Sequence, residues 1–379
     1  MSNLLKGRCR VCKQELFKEP SLQLKEMPKS AQNFPKKSEL DSEKGSDLDI
    51  YECASCGLIQ LNSEPVFYHK DVIRAVAYSP EMREFRLKQF KLFLQRYNLK
   101  GKKLLEVGCG KGEYLSLMKS CGAITYGIEH LQESVDVCVG EGLDVTKAYI
   151  DQEHYTNIDA PFDGFFILNF LEHIPDINTV LKGVLNNLSE GAIGLIEVPN
   201  FDMIIKNNLF SEFIPDHLYY FTQETLRRTL ELNGFEILES QTIWYDYIIS
   251  TTVRRRKKID ISNFYKQQSR LEEELHSYLD ENKKTVIWGA GHQALAVIAL
   301  TKIKDKVKYI VDSADFKQGF YSPSTHLEIL SPKILLKGDI DAVIVMAASY
   351  SDEIAAIIER DYSISNIAIL RDYGLEIVK

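Results

Sequence analysis

A glycine-rich loop after a short apolar strand is the feature that most constrains how this chain can fold. Residues 103–107 form an apolar run typical of a buried strand, and residues 114–120 follow with a helical pattern. Between them, small and acidic residues recur at every second position: Glu106, Gly108, Gly110 and Gly112. Glycines let a backbone turn tightly and approach a bound nucleotide closely. The segment therefore predicts a strand, a ligand-binding loop and a helix of a parallel α/β fold.

A carboxylate ends the next predicted strand. Residues 126–129 are an apolar run that finishes at Glu129, about 20 residues beyond the glycines, where an acid can accept hydrogen bonds from both ribose hydroxyls. A lone glycine motif is weak evidence, but the loop and the acid together predict a nucleoside site. An NAD-binding domain is the alternative, although its usual Gly-x-Gly-x-x-Gly spacing does not match this loop.

The loop and its acid together resemble those of the class I methyltransferases, which use S-adenosylmethionine (SAM). This resemblance implies that the glycines pass beside the amino-acid part of SAM and that Glu129 holds the ribose. Residues 168–173 resemble the fourth-strand exit that lines the cofactor pocket in that family, with Glu172 and His173 as either cofactor contacts or caps of the next turn. The expected cofactor-binding residues are Glu106, Gly108, Cys109, Gly110, Gly112, Glu129 and Asn169.

Two Cys-x-x-Cys pairs precede this region. Cys9 with Cys12 and Cys53 with Cys56 offer four thiolates, which suit a tetrahedral zinc ion with no position left open for catalysis. We therefore predict a structural zinc site; four free cysteines or one redox pair are the alternatives. The N-terminus shows no secretory signal and the chain has no apolar stretch of about 18 residues. The expected location is the cytoplasm, where thiols stay reduced.

Strands and helices alternate in two long stretches of the chain, which favours parallel α/β sheets in both. In the second stretch, Gly289 and Gly291 follow one predicted strand and Asp312 ends the next, which by spacing alone is a dinucleotide fingerprint. The fold class is α/β, and the predicted domains are a zinc-binding domain (1–64), a SAM-dependent methyltransferase domain (65–253), a linker helix (254–284) and a second Rossmann-like domain (285–379).

The arrangement of these parts resembles the zinc-containing sugar C-methyltransferases that act on dTDP-linked keto-deoxysugars. The cysteine pairs, residues 216–226 and the C-terminal motifs at 286–291 and 311–326 carry the resemblance over nearly the whole chain. It implies a C-terminal domain that needs no redox cofactor and helps to build the sugar-nucleotide cleft. Candidate contacts there, each with a solvated surface residue as the alternative, are His292, Lys317, Tyr321 and the basic run 254–258.

The resemblance also implies a catalytic base. In that family a histidine paired with a glutamate removes a proton from the carbon beside a ketone, and a neutral histidine suits this task. His217 is the matching residue here, with structural packing under residues 219–220 as the alternative. Asp216 stands where the family has glutamate and is expected to orient the ring of His217. The family tyrosine three residues before the base is replaced by Ile214, and Pro215 replaces a histidine. Tyr68 or Tyr78 could supply the missing phenol.

The sequence thus predicts C-methylation of a nucleotide-linked sugar in the assembly of surface polysaccharides or natural products. The protein is expected to be a monomer or small homo-oligomer that binds neither membrane nor nucleic acid. The formal charge of −8 disfavours a nucleic-acid methyltransferase with a zinc reader. The alternatives are an O- or N-methyltransferase on a related sugar, with His217 as base, and a non-catalytic nucleotide-binding module.

Overall fold

A computed structural model describes residues 7–32, 34–70 and 79–379. The chain divides into two compact units, Met1–Lys257 and Lys258–Lys379. Strands of the first unit are β1 (Leu22–Met27), β2 (Ser46–Glu52), β3 (Ile59–Leu61), β4 (Lys103–Val107), β5 (Ile124–Glu129), β6 (Asp144–Lys147), β7 (Phe162–Leu168), β8 (Leu188–Pro199), β9 (Tyr219–Tyr220), β10 (Phe235–Ile243) and β11 (Ile248–Arg255). Its helices are α1 (Pro80–Arg96), α2 (Glu113–Ser120), α3 (Gln132–Gly140), α4 (Ile177–Asn186), α5 (Phe201–Asn207) and α6 (Gln223–Leu232).

The main sheet of the first unit contains, among the described residues, seven strands in the order β10-β11-β8-β7-β4-β5-β6. The five strands from β6 to β8 are parallel, whereas β11 pairs antiparallel with both β8 and β10. The strand order reverses at β4, because β5 lies on one side of it and β7 on the other. Ligands of open α/β sheets bind beyond the carboxyl ends of the strands at such a point, so the predicted glycine loop after β4 lies where a ligand is expected.

Helix α1 begins at a well-formed cap. The Oγ of Ser79 accepts a hydrogen bond from the amide of Met82, and Pro80 occupies the first turn, where its missing N–H costs nothing. Its apolar face is buried against α2 and the main sheet through Phe90 and Phe93. The helix therefore closes one side of the sheet beside the glycine loop.

A second, smaller sheet joins the cysteine-bearing segment to the rest of the first unit. Its strands lie in the antiparallel order β1-β2-β3-β9. The first three come from the region between and just after the cysteine pairs, whereas β9 follows the main sheet's parallel strands in the chain. Tyr220 pairs with Ile59 and Tyr219 with Gln60, so the segment that leads into β9 is held by the cysteine-bearing region.

The second unit carries its own parallel sheet in the order β14-β13-β12-β15-β16-β17, with β17 antiparallel. The predicted linker helix is α7, although the strand β11 already includes the first two residues of the predicted linker, Arg254 and Arg255. The elements of this unit are α7 (Ser262–Glu281), β12 (Thr285–Trp288), α8 (His292–Leu300), β13 (Val307–Val311), β14 (Ile329–Leu330), β15 (Ala342–Val345), α9 (Ser351–Asp361), β16 (Asn366–Arg371) and β17 (Gly374–Ile377). Among the described residues, no helix combines the length and apolarity needed to cross a bilayer.

A buried ion pair fastens α1 to the main sheet. The guanidinium of Arg86 donates to the carboxylate of Glu197 on β8, and both side chains are 0% exposed. Gln89 and Ser250 also donate to this carboxylate, at 2.5 and 2.9 Å. Burial of a charge is costly unless it is paired and hydrogen-bonded, so the position of α1 depends on this network.

Arg86→Met should destabilise the first unit by about 3–5 kcal/mol, because Glu197 would be left buried without its counter-charge. The measurement is urea unfolding followed by the fluorescence of Trp244, with Trp288→Phe in every protein so that the signal comes from the first unit. Arg96→Met is the matched control, since the Arg96–Glu239 pair is 63% and 32% exposed and its loss should cost about 0–1 kcal/mol. Equal effects of the two changes would contradict the argument.

Candidate active site

The glycine loop after β4 requires glycine for two different reasons. Gly108, Gly110 and Gly112 have φ of 72°, 57° and 86°, a region that side-chain-bearing residues rarely adopt. A Cβ at Gly108 would also lie 2.8 Å from the ring of Phe170, and one at Gly112 would lie 2.5 Å from Leu143. Space is open at Gly110, where a Cβ would meet Glu113 at 3.8 Å as its nearest described neighbour. The backbone is thus left accessible at the centre of the loop.

Glu129 ties this loop to the end of β5. Its Oε2 accepts a hydrogen bond from the amide of Gly110 at 2.9 Å. Its Oε1 accepts from the amides of His130 and Leu131, both at 2.9 Å. A carboxylate oxygen can accept two hydrogen bonds, so Oε1 is fully used and Oε2 keeps one acceptor position for a ribose hydroxyl.

A cavity of about 690 Å³ lies at this end of the main sheet. Four of the predicted cofactor residues line it: Gly108, Gly110, Glu129 and Asn169. Three others are not among its described lining residues: Glu106, Cys109 and Gly112. Glu106 and Cys109 are 0% exposed, and Cys109 packs in the core, so these residues shape the loop from behind. An open glycine backbone, a strand-end acid and an enclosing cavity together fit SAM.

Several lining residues were not predicted from the sequence. Ser79 and Met82 come from the start of α1, Tyr114 from the first turn of α2 and Tyr149 from the segment after β6. Tyr149 and Tyr114 each follow a parallel strand closely, and that position is the signal that could have revealed them. Ala31 and Gln32 come from the loop between the cysteine pairs, for which the sequence offers no such signal.

Two histidines face each other in this cavity. The rings of His173 and His217 have centroids 4.7 Å apart and meet edge to face. The Nδ1 of His173 lies 2.9 Å from the backbone oxygen of Asp216. A carbonyl oxygen only accepts, so Nδ1 carries the hydrogen and the neutral ring keeps its lone pair at Nε2. One side-chain nitrogen or oxygen atom from each of Glu172, His173 and His217 lies within 4.8 Å of the other two.

Burial controls the protonation of both histidines. Desolvation lowers the pKa of His173, with partial opposition from the Asp216 carbonyl. Desolvation and the neighbouring His173 lower the pKa of His217 to about 3. A buried imidazole disfavours its charged form. Both rings are therefore neutral near pH 7, which is the form a general base requires.

The carboxylate of Asp216 has partners away from the histidine rings. Its Oδ1 accepts from the hydroxyl of Tyr68 at 2.6 Å, and its Oδ2 accepts from the amide of Ala31 at 3.0 Å. That Asp216 orients His217 through its carboxylate thus stays a prediction. Ile214 lines the cavity where the resembled family carries tyrosine. Of the two tyrosines that could supply the missing phenol, Tyr68 contacts Asp216, and Tyr78 lies outside the described residues.

The four cysteines of the predicted zinc site converge. The sulfurs of Cys12 and Cys53 are 3.4 Å apart and those of Cys9 and Cys56 are 3.7 Å apart. All four sulfurs lie within 4.8 Å of one another. Thiolates about 2.3 Å from a tetrahedral zinc ion would be about 3.8 Å apart, so the donor set and its spacing fit zinc with all four positions filled by protein.

In the second unit, the acid that follows the glycine motif is bound by groups of the chain itself. The carboxylate of Asp312 accepts from the amides of Ala290 and Ala314 at 2.7 and 2.9 Å and from the ammonium of Lys317 at 2.8 Å. A Cβ at Gly289 would lie 2.5 Å from the backbone oxygen of Met346. This glycine therefore allows close backbone packing, and Lys317 neutralises the acid that a dinucleotide ribose would otherwise engage.

Other candidate contacts from the sequence have simpler surroundings. His292 begins α8, and both it and Tyr321 are exposed. In the basic run, Arg254 pairs with Ile193 of β8 across the main sheet, and Arg255 donates to the backbone oxygen of Leu188. These two arginines thus have structural partners in the sheet, and contact with a substrate phosphate stays a prediction for the run.

Comparison with known families matches both halves of the chain. Residues 80–240 match a methyltransferase domain, and residues 261–364 match a C-methyltransferase C-terminal domain. The C-methyltransferase NovU of Streptomyces niveus is 24% identical over 345 residues, which cover 81% of each chain. A ubiquinone biosynthesis O-methyltransferase of Aeromonas salmonicida is 25% identical over 177 residues, 43% of this chain and 74% of that protein.

Two solved structures align with about half of this chain. A SAM-dependent methyltransferase from Clostridium acetobutylicum aligns with a TM-score of 0.38 and 17% identity, over 50% of this chain and 96% of its own. The plantazolicin methyltransferase BpumL, solved in complex with SAH, aligns with a TM-score of 0.37 and 15% identity over 47% and 86%.

The crevice of a parallel sheet, an open glycine loop and a strand-end acid, together with the matched methyltransferase domain, define a SAM-dependent methyltransferase. The second half of the chain narrows this class. The methyltransferase domain is followed there by a region that matches a C-methyltransferase C-terminal domain, and this order of domains supports C-methyltransferase activity.

Gly110→Val should weaken SAM binding by tenfold or more, about 1.4 kcal/mol, because the side chain would enter the cavity from the loop. Gly101→Val is the matched control: its φ is also positive, at 73°, and a Cβ there would meet no described atom within 4 Å. Calorimetric titration of SAM into each folded variant measures the difference. Equal affinities for the two variants would contradict the loop assignment.

Cys53→Ser should remove zinc from the protein and lower the melting temperature, because a structural zinc ion supplies folding free energy directly. Metal content per chain by mass spectrometry and thermal unfolding are the two measurements. Cys121→Ser is the control, since Cys121 lies outside the cluster and should leave metal content unchanged. Full zinc retention by Cys53→Ser would exclude the four-cysteine site.

Proposed function

We propose that this enzyme methylates a carbon of a nucleotide-linked keto-deoxysugar, with His217 as the base. One observation carries the proposal: the histidine pair lines the same cavity as the residues that face the cofactor. A cavity of about 690 Å³ has room for the methionine end of SAM beside a sugar ring. The similarity to a C-methyltransferase over 81% of the chain supports carbon as the methylated atom.

His217 has the protonation state that the first step requires. Its pKa, lowered to about 3 by burial, leaves the ring unprotonated at neutral pH. A neutral imidazole can take the proton of a carbon next to a carbonyl, where the remaining charge is delocalised onto oxygen. His173 stands beside it with its hydrogen directed at Asp216, so its Nε2 can accept a hydrogen bond from a sugar hydroxyl.

The cofactor-facing residues supply orientation. SAM, when bound, provides an electrophilic methyl group. Gly110 leaves room for its amino-acid part, and Oε2 of Glu129 would accept from one of its ribose hydroxyls. Holding the reacting carbon and the methyl donor in one cavity replaces a bimolecular encounter by an oriented one. We also propose that the four cysteines hold zinc in a structural role and that the second unit helps to bind the sugar nucleotide.

O-methylation of a related sugar is the second candidate. The similarity to an O-methyltransferase, confined to 43% of this chain, favours it. In that reaction His217 would take a hydroxyl proton and no ketone would be needed. Exchange of a substrate C–H with solvent deuterium separates the two candidates, because it requires deprotonation at carbon. Enzyme-dependent exchange supports C-methylation. A product methylated on oxygen, formed without C–H exchange, supports the alternative.

His217→Ala should lower kcat by roughly 10²–10⁴-fold, the usual contribution of general base catalysis, and leave SAM affinity unchanged. A loss below about tenfold would assign the base to another group. The pH profile is a second readout in the wild type. Because the pKa of His217 is lowered, kcat/KM should hold as the pH falls through 6.5 and decline only at lower pH. An acid limb at or above pH 6.5 would contradict a buried neutral base.

A further inference from the structure

The loop between the two cysteine pairs contributes to the cavity. Residues 13–52 are far longer than a connection between two zinc-binding turns needs to be, and they form β1 and β2 of the smaller sheet. Between these strands, residues 30–32 reach the cavity, and Ala31 and Gln32 line it. Residues 30–32 are here called the strap. Pro28 and Pro35 flank the strap and restrict the backbone on either side of it.

The strap is hydrogen-bonded to the buried carboxylate of Asp216, which also lines the cavity. The amide of Ala31 donates to Oδ2 of Asp216 at 3.0 Å, and the hydroxyl of Tyr68 donates to Oδ1 at 2.6 Å. The same amide lies 3.2 Å from the oxygen of Tyr68. Asp216 is 3% exposed. Hydrogen bonds to a charged group are stronger than neutral ones, so these three residues form a latch.

The latch borders the histidine end of the cavity. Asp216 directly precedes His217, and its backbone oxygen accepts from the ring of His173. The group that faces the ribose, Glu129, is held instead by amides of the glycine loop and of the start of α3. The strap is therefore attached where the substrate reacts, through a residue of the catalytic segment.

We propose that the strap is a substrate-recognition element and that Asp216 and Tyr68 act as positioning residues that hold it over the sugar. Ala31 and Gln32 line the cavity, so the strap limits the space open to the sugar, and a larger side chain at position 31 would obstruct it. Asp216 thus acts on the substrate through the strap and not through the ring of His217. The substrate class in this inference rests on the proposed function.

Limited trypsin digestion tests the latch without any substrate. In Tyr68→Phe and in Asp216→Asn, the Lys29–Ser30 bond should be cut about tenfold faster than in the wild type, since loss of a hydrogen bond to a charge raises the open fraction of the segment. The Lys37–Ser38 bond, beyond the strap in the same loop, should be cut at an unchanged rate. Tyr51→Phe is the matched control. Equal rates at Lys29–Ser30 in all four proteins would overturn the latch.

Kinetics test recognition, with a dTDP-linked 4-keto-6-deoxyhexose as the probe substrate. Ala31→Leu and Asp216→Asn should raise KM for the sugar nucleotide about tenfold, with kcat changed less than threefold and the Kd for SAM unchanged. Ala31→Gly, which keeps the amide, should keep the wild-type KM to within a factor of about two. A fall in kcat at unchanged KM in Asp216→Asn would make Asp216 a partner of His217 and overturn the strap.

Failure of the proposed function and failure of the strap give different results in these experiments. If the wild type neither methylates the probe nor exchanges its C–H with solvent, the proposed function fails for this substrate class. Trypsin then decides whether the strap is latched, and the Kd for SAM in Ala31→Leu decides which end of the cavity it covers. A weakened SAM affinity in that variant would place the strap at the cofactor and overturn its role in substrate recognition.

Discussion

The pairing of β3 with β9 is the contact on which the active site depends. It joins Ile59 and Gln60 to Tyr220 and Tyr219, and His217 lies two residues before β9. The side chain of Arg10, between the cysteines of the first pair, adds a hydrogen bond to the backbone oxygen of Pro175. The position of the proposed base is therefore set by the cysteine-bearing region as well as by the main sheet.

Local patterns of the sequence place the glycine loop and the strand-end acid at one end of the main sheet. The strand Lys103–Val107, the loop glycines and the strand-end Glu129 lie close together in the chain, and their period and spacing suffice to place them. Side-chain direction inside the loop was not accessible in this way. Cys109 was grouped with its glycine neighbours, but its sulfur packs beneath the loop, because a turn has no fixed period from which to assign faces.

The histidine end of the cavity depends on contacts between distant parts of the chain. Tyr68 and Ala31 meet Asp216 across 148 and 185 residues, and no periodic signal announces such pairs. Arg86 illustrates a related difficulty. A charged residue in an amphipathic helix indicates a solvent-facing position, yet this side chain is fully buried because Glu197 of β8 supplies its counter-charge. Contacts between distant elements thus override the local pattern at both places.

The second unit repeats the geometry of the first with a different outcome. In both, an acid at the end of a strand accepts a hydrogen bond from a backbone amide of the glycine loop. Glu129 accepts from Gly110, and Asp312 accepts from Ala290. Asp312 also holds Lys317, which provides from within the chain the positive partner that an isolated acid lacks. A nucleotide fold that carries its own counter-ion can keep its loop ordered without a cation or a ribose at that acid.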